Sequence, residues 1–252
     1  ATAGTAVGVL ADGDPAVWDE VNTVTVDLYG TTNTLESMTE AQVLAGANAA
    51  MLGDEVIQYR TATQVGGFNN RWTLSGLLRA RRGTDYATST HAAGERFVLL
   101  DGAVIFVGND ISDKGVARNY KGVTSGFAIA DTAPTSFTWN AGSSTPLSVV
   151  DVAGARDGSN NLTITWQRRT RTGAAAWETG GTAPLGEDSE SYSLDVVVAS
   201  VVVRTITATS ETASYTAADQ TTDGITPGDP VTVRIYQISA LIGRGRVREQ
   251  IV

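Results

Sequence analysis

Three stretches in the second half of the chain place an apolar side chain at every other residue, and that period leaves little choice of secondary structure. Leu162, Ile164 and Trp166 fall on one face, with Thr163 and Thr165 on the other; Tyr192, Leu194 and Val196 repeat the pattern, and so do Val231, Val233 and Ile235. A helix, with about 3.6 residues per turn, would scatter these side chains, whereas a strand gathers them on one side. Turn-forming groups separate the stretches: Asp157-Gly158, Gly180-Gly181, Asp223-Gly224 and Pro227-Gly228-Asp229-Pro230. Short alternating strands divided at this spacing predict a β-sandwich over residues 141–252.

The first half reads as β-rich too. Residues 21–28 alternate, with Asn22, Val24, Val26 and Leu28 on one face, and the run stops at Tyr29-Gly30. One helix is expected at about 38–52, where Ser37-Met38-Thr39-Glu40 has the spacing of a capping box and Gly53 sits where a C-terminal cap belongs. Segments 55–60 and 71–78 predict a hairpin with a long loop, and 96–100 with 103–107, split by Asp101-Gly102, predict a second. Between 131 and 146 the chain turns to Thr, Ser, Gly and Pro, which places a domain boundary there. The expectation is an all-β protein: a barrel or sandwich domain with one short helix over 1–140, then the sandwich over 141–252. Barrel and sandwich fit the strands of the first domain equally well.

Charge and composition exclude several function classes. With 18 Lys and Arg against 27 Asp and Glu in 252 residues the chain stands at −9, a field that repels phosphate backbones, so nucleic acid is not an expected partner. No cysteine is present, which removes disulfides, thiol nucleophiles and thiolate metal sites together. No apolar run approaches the roughly 20 residues of a membrane span. The chain begins at Ala1 rather than Met and is read as processed or partial.

The residues that could carry chemistry are few. His91 is the only histidine. Ser89 and Asp101 lie near it, but no Gly-x-Ser-x-Gly elbow accompanies them, so a solvent-facing or hydrogen-bonded loop histidine is expected rather than a triad. Asp12/Asp14, Asp110/Asp113 and Glu187/Asp188/Glu190 supply hard oxygen ligands on turns, yet none has the spacing of a calcium loop. The arginines Arg79, Arg81 and Arg82 are expected to tie carboxylates such as Asp85 or Glu95, or those of a neighbouring subunit, and Arg168, Arg169 and Arg171 to act likewise. Trp166 is assigned to the core. Trp18, Trp72, Trp139 and Trp177 are assigned to packing or interfaces, with a sugar-stacking platform as the alternative. No catalytic, cofactor-binding or metal-binding residue is expected, no cofactor, and no enzymatic activity.

The second half resembles a fibronectin type III domain, in the strand ending at Trp166 and in Ile225-Thr226-Pro227-Gly228 leading into an alternating strand. It departs at Val231, where such domains usually place a tyrosine whose hydroxyl bonds back to the backbone. A second resemblance spans both halves. Leu74-Ser75-Gly76-Leu77-Leu78-Arg79-Ala80-Arg81-Arg82-Gly83-Thr84-Asp85, with His91-Ala92-Ala93-Gly94-Glu95-Arg96-Phe97-Val98 after it and Gly53-Asp54-Glu55-Val56-Ile57-Gln58 before it, is similar to the C-terminal region of the large tail-tip hub, or host-specificity, proteins of long-tailed phages and gene transfer agents. Trp166-Gln167-Arg168-Arg169-Thr170-Arg171, Pro184-Leu185-Gly186-Glu187 and Gly243-Arg244-Gly245 are similar to the sandwich module of that family, and Ala80 stands where the family usually has Gly. The resemblance implies a structural virion protein at the distal end of the tail, a baseplate hub component that presents sandwich modules for fibre attachment and host-surface contact. The partners it implies are other tail and baseplate proteins, tail fibres, further copies of itself as a trimer on the tail axis, and a glycan or protein of the host surface. Direct glycan recognition, or an accessory role beside a carbohydrate-active enzyme, are the alternatives.

Overall fold

The computed structural model describes residues 1–105, 107–171 and 183–252. Strands β1 (Ala3–Ala6), β2 (Trp18–Asp19) and β3 (Val24–Leu28) come first, then helix α1 (Glu40–Leu44) and strands β4 (Ala49–Leu52), β5 (Glu55–Gln64), β6 (Arg71–Arg81) and β7 (Arg96–Leu99). Hydrogen-bonded neighbours run β6-β3-β1-β7-β4-β5, and β5 returns to β6, so six strands close into a barrel and β2 extends the β6 edge beside β3. Closure removes the free edges that an open sheet would offer to other chains. The barrel interior is filled by Val24, Val26 and Leu28 of β3, Ile57 and Tyr59 of β5, Leu74 and Leu77 of β6, and Phe97 of β7, all buried. The face of β3 expected from alternation is the buried one, although the strand itself begins only at Val24.

Two local expectations for the barrel need correction. The helix at 38–52 is one short turn, Glu40–Leu44, capped by Thr39 with Gln42 rather than by Ser37 with Glu40. Residues 49–52 instead form β4, between β5 and β7. Ala and Leu favour a helix, but a segment with both edges hydrogen-bonded and Ala49, Ala50 and Leu52 buried gains more as a strand. Gly53, expected as a helix cap, turns the β4–β5 hairpin at φ +57°. The second predicted hairpin is also absent: β7 pairs with β1 on one side and β4 on the other, which leaves no edge for 103–107, and the described residues of that segment are not strand. Phe106 lies outside the described residues.

A two-stranded ribbon, β8 (Ala117–Tyr120) with β9 (Thr135–Thr138), occupies the middle of the chain. Strands β10 (Val150–Arg156), β11 (Leu162–Gln167), β12 (Tyr192–Val198), β13 (Val201–Ala208), β14 (Thr212–Tyr215), β15 (Thr232–Ser239), β16 (Gly243–Arg244) and β17 (Arg248–Ile251) follow, with helix α2 (Ala217–Thr222) after β14. They form two sheets, β10-β11-β14 against β13-β12-β15 with β16 and β17 on the outer edge of β15, a fibronectin type III-like sandwich. The alternating residues supply its core: Leu162, Ile164 and Trp166 from one sheet meet Tyr192, Leu194, Val196, Val233 and Ile235 from the other. The Trp166 ring meets Tyr192 edge-on, with centroids 5.2 Å apart. Val231 is buried at the entry to β15. The turn expected at Asp223-Gly224 ends α2, with Gly224 at φ +78°, and the one expected at Gly180-Gly181 lies outside the described residues. The barrel core and the sandwich core share no residue.

Candidate functional site

The three first-half segments that carry the tail-protein resemblance, around Glu55, Arg79 and His91, meet at one end of the barrel. They meet through a fault in the sheet. The pairing of β5 with β6 runs in register from Gln64↔Trp72 to Gln58↔Leu78 and resumes at Val56↔Arg81, so β6 holds one extra residue there. Ala80 sits in that bulge at φ +52°, the left-handed conformation that glycine adopts without cost. The bulge takes the Ala80 N–H out of the ladder, and it donates instead to Glu55 Oε1 at 2.5 Å. It also leaves Arg79 buried, so the guanidinium needs partners inside the protein.

It finds them on four elements. Arg79 Nε and Nη2 donate to the Glu55 carboxylate at 3.0 and 2.9 Å. Nη1 donates to Asp19 Oδ2 on β2 at 3.0 Å and to the Ala11 carbonyl at 2.8 Å, and Nη2 also reaches the Thr88 carbonyl at 3.3 Å. His91, on the loop between β6 and β7, lies between two carboxylates: Nε2 is 2.6 Å from Glu55 Oε2 and Nδ1 is 2.7 Å from Glu95 Oε1. The Arg79 and Glu55 side chains are 0% exposed and that of His91 is 1%. Carboxylates only accept when ionised, so both bonds exist together when both ring nitrogens carry protons. Burial lowers the His91 pKa, and the bonds to Glu55 and Glu95 outweigh that and hold it above the ordinary imidazole value. For Glu55 burial acts upward, and the bonds from His91, Arg79 and the Ala80 amide hold its carboxyl below its usual range. Asp19 is likewise held low: its burial is overcome by bonds from the Asn22 amide and side chain and from Arg79. Every charge in the cluster is spent on another, and together they tie β2, β5, β6 and the loop before β7 into one end of the barrel.

The expected arginine partners were others. Asp85 and Glu95, nearest in sequence to Arg79, are engaged by Arg169 and His91. Arg81 donates to Gln58 Oε1 at 2.9 Å, and the Gln58 amide donates to the Val43 and Ala47 carbonyls at the end of α1. Arg82 is exposed. His91 is hydrogen-bonded but not solvent-facing, and its partners are neither Ser89 nor Asp101. Only the short apolar runs around Glu55 and Arg79 hinted at this site, since a charge inside such a run must be paired to be buried.

A second cluster joins barrel to sandwich. Arg169 donates through Nε to the Ser148 carbonyl at 2.8 Å and through Nη2 to Ser148 Oγ at 2.6 Å, and it forms an ion pair with Asp85 of the β6–β7 loop. Ser148 Oγ donates to the same Asp85 oxygen at 2.8 Å, and the Arg246 guanidinium lies 4.6 Å from the centre of the Tyr86 ring. Beside this joint a cleft of 680 Å³ is lined by Asp12, Asp14, Asp85, Ser148, Arg248 and Glu249 among others. Arg168 pairs with Glu190 and Glu211, and Arg171 with Glu187.

The other candidates fall elsewhere. Asp12 and Asp14 accept from nearby backbone amides in the cleft wall, and Asp110 and Asp113 cap a single helical turn. Among the described residues no group of three or more His, Asp or Glu is gathered as metal ligands. Arg60 covers the Trp18 ring at 5.2 Å and is itself paired with Glu20. Trp72 packs against the barrel core, Trp139 is half-buried, and Trp177 lies outside the described residues. No helix among the described residues is long and apolar enough to cross a membrane.

Residues 1–98 match a family described as Rcc01698-like, C-terminal. The match is coextensive with the barrel, from before β1 into β7, and contains the whole Arg79 cluster. No curated protein matches the chain. Among solved structures the chain is similar to the rat CD45 extracellular region, domains d3-d4, at 12% identity and a TM-score of 0.30 over 62% of this chain and 72% of that one. The FN5 domain of Drosophila Lar gives 12% and 0.26 over 43% and 95%, and the chicken CNTN1 FN1-FN3 domains give 12% and 0.29 over 98% and 69%.

Proposed function

We propose that this chain is a structural component of a phage or gene-transfer-agent tail tip, a hub-type barrel that carries a fibronectin type III-like sandwich toward fibres or the host surface, and that it is not an enzyme. One observation carries the reading. Glu55, Arg79, His91 and Glu95, which lie within three of the stretches that carry the family resemblance, are consumed in holding the barrel end together. A catalytic acid, base or nucleophile must reach a substrate, whereas these groups face one another with almost no solvent access. The loop that supplies His91 also supplies Asp85 and Tyr86 to the sandwich, so the barrel end and the angle of the sandwich are set by one piece of chain. The Rcc01698-like match over the barrel supports the same reading.

Gold-labelled antibody against this chain, applied to purified particles, tests the proposal. Label at the distal tail is expected; label confined to the capsid, or absent from intact particles, would overturn it.

A further inference from the structure

The stretch between the two cores carries a surface that the fold leaves uncovered. Neither hydrophobic core includes any described residue from 100 to 140, and every residue from 121 to 131 is exposed. Within this stretch Ile105 is 88% exposed, Phe127 66% and Ile129 68%, with Val116 and Phe137 open as well. A two-stranded ribbon on its own is marginal in water, and β8 and β9 make up a sheet of two that pairs with no other strand among the described residues. The charge is as unusual as the apolarity. Residues 114–130 contain Lys114, Arg118 and Lys121 and no carboxylate, and the two lysines are the only ones in the chain. Because the whole chain stands at −9, everything outside this +3 segment stands at −12. Arg118 is paired with Asp113, while among the described residues the two lysines bond to the backbone carbonyls of Ile242 and Ile129. The arm is a cationic, apolar projection on a strongly acidic body.

We infer that the arm 114–130 docks on the acidic surface of a second copy of this chain, with Phe127 and Ile129 buried in the contact and Lys114 and Lys121 facing carboxylates. The complementarity lies within one sequence, so copies suffice to satisfy it. An arm meeting a different surface of its neighbour is a head-to-tail contact, which closes into a ring or continues as a filament. The inference rests on the assembly reading above only in expecting copies side by side, and the two can fail separately, because one is read on particles and the other in solution.

Sedimentation equilibrium of the full chain gives the association constant, and carbodiimide coupling reports the contact. That reagent joins amines to carboxylates, and apart from the N-terminal amine only Lys114 and Lys121 can react. Mixing isotope-labelled and unlabelled chain identifies couplings that cross between copies. Expected are inter-copy couplings from Lys114 or Lys121, association that weakens with salt, and a loss of about tenfold or more in association for Phe127→Asp and for Lys114→Glu/Lys121→Glu. These side chains are exposed, so an unchanged near-ultraviolet circular dichroism spectrum certifies the fold of each variant. A chain that stays single at every accessible concentration overturns the inference, and so does association that neither variant reduces. Retention of a single chain on vesicles of anionic lipid would assign the arm to a membrane and would overturn it as well.

Discussion

His91 Nε2 lies 2.6 Å from Glu55 Oε2, a bond that fastens the β6–β7 loop to a strand 36 residues earlier in the chain. The same ring bonds Glu95 through Nδ1, so the imidazole sits between two acceptors and stays protonated at a pH where a free one has lost its charge. A folded-state pKa raised above the unfolded one stabilises fully below the unfolded value, about 6.5, and that contribution is lost as pH rises through the folded value.

Stability measured by urea denaturation is therefore expected to fall as pH rises from the ordinary imidazole value through the raised one. His91→Gln keeps a ring-sized polar group but cannot titrate, and it should flatten that slope while lowering stability at the acid end. A wild-type slope that persists in His91→Gln would assign the titration to another group. Glu55 acts on the other side: its pKa is held low, so its contribution is present at neutral pH and disappears only as pH falls through its depressed value.

Removing Arg79 should be among the most damaging single changes in the barrel. Arg79→Met leaves Glu55 fully buried with only His91 to offset its charge, and deprives Asp19 of β2 of its ion pair with β6. Breaking a buried pair by deleting one partner costs roughly 3–5 kcal/mol. Glu55→Met alone should cost a similar amount, and the double variant clearly less than the sum, because the second change removes the charge that the first left unpaired. Additive losses in a denaturant double-mutant cycle would mean that the pair is not coupled as the geometry requires.

What the sequence discloses and what it hides divide along the distance of the interactions. The face of β3, the three sandwich strands and the long β5–β6 hairpin follow from side-chain period and nearby turns, which the chain sets locally. The predicted helix runs too far because Ala49, Ala50 and Leu52 favour a helix by themselves and are strand only when β5 and β7 flank them. Asp85 and Glu95 are the carboxylates that sequence proximity offers the arginine cluster, yet the acidic partners of Arg79 are 24 and 60 residues away and reach it only after the barrel closes. The signals for α2 are local: Thr216 and Asp219 stand at cap spacing, and Gly224 follows.

Ala80 tests the bulge. It departs from the glycine that the resembling family carries, and its φ of +52° is the reason a glycine suits the position. Ala80→Gly exchanges left-handed strain of about 1–2 kcal/mol for a lost buried methyl and a looser unfolded chain, so its stability should stay within about 1 kcal/mol of the parent. Ala80→Val adds a branched side chain where the left-handed region tolerates it least, and should lose more than about 2 kcal/mol. Thermal unfolding of the three proteins orders them, and a valine variant as stable as the alanine would remove the bulge from the explanation of the site.

The joint between barrel and sandwich should yield to a single change that leaves both bodies folded. Arg169 is the shared donor: it holds the Ser148 carbonyl and hydroxyl on the sandwich side and Asp85 on the barrel side, and neither hydrophobic core contains it. Arg169→Ala therefore removes the ion pair and two hydrogen bonds without opening a cavity in either core, at a cost of about 1–2 kcal/mol for a partly exposed pair. The Ser148–Asp85 hydrogen bond and the Arg246 contact with Tyr86 remain, without the charged donor that ties Ser148 and Asp85 together. The expected result is a larger radius of gyration and a flexible profile in small-angle X-ray scattering, with the near-ultraviolet spectrum unchanged. A variant as compact as the parent would show that the Arg169 bridge does not set the angle of the sandwich, which would then rest on the covalent link and on the remaining Asp85 and Tyr86 contacts of the β6–β7 loop.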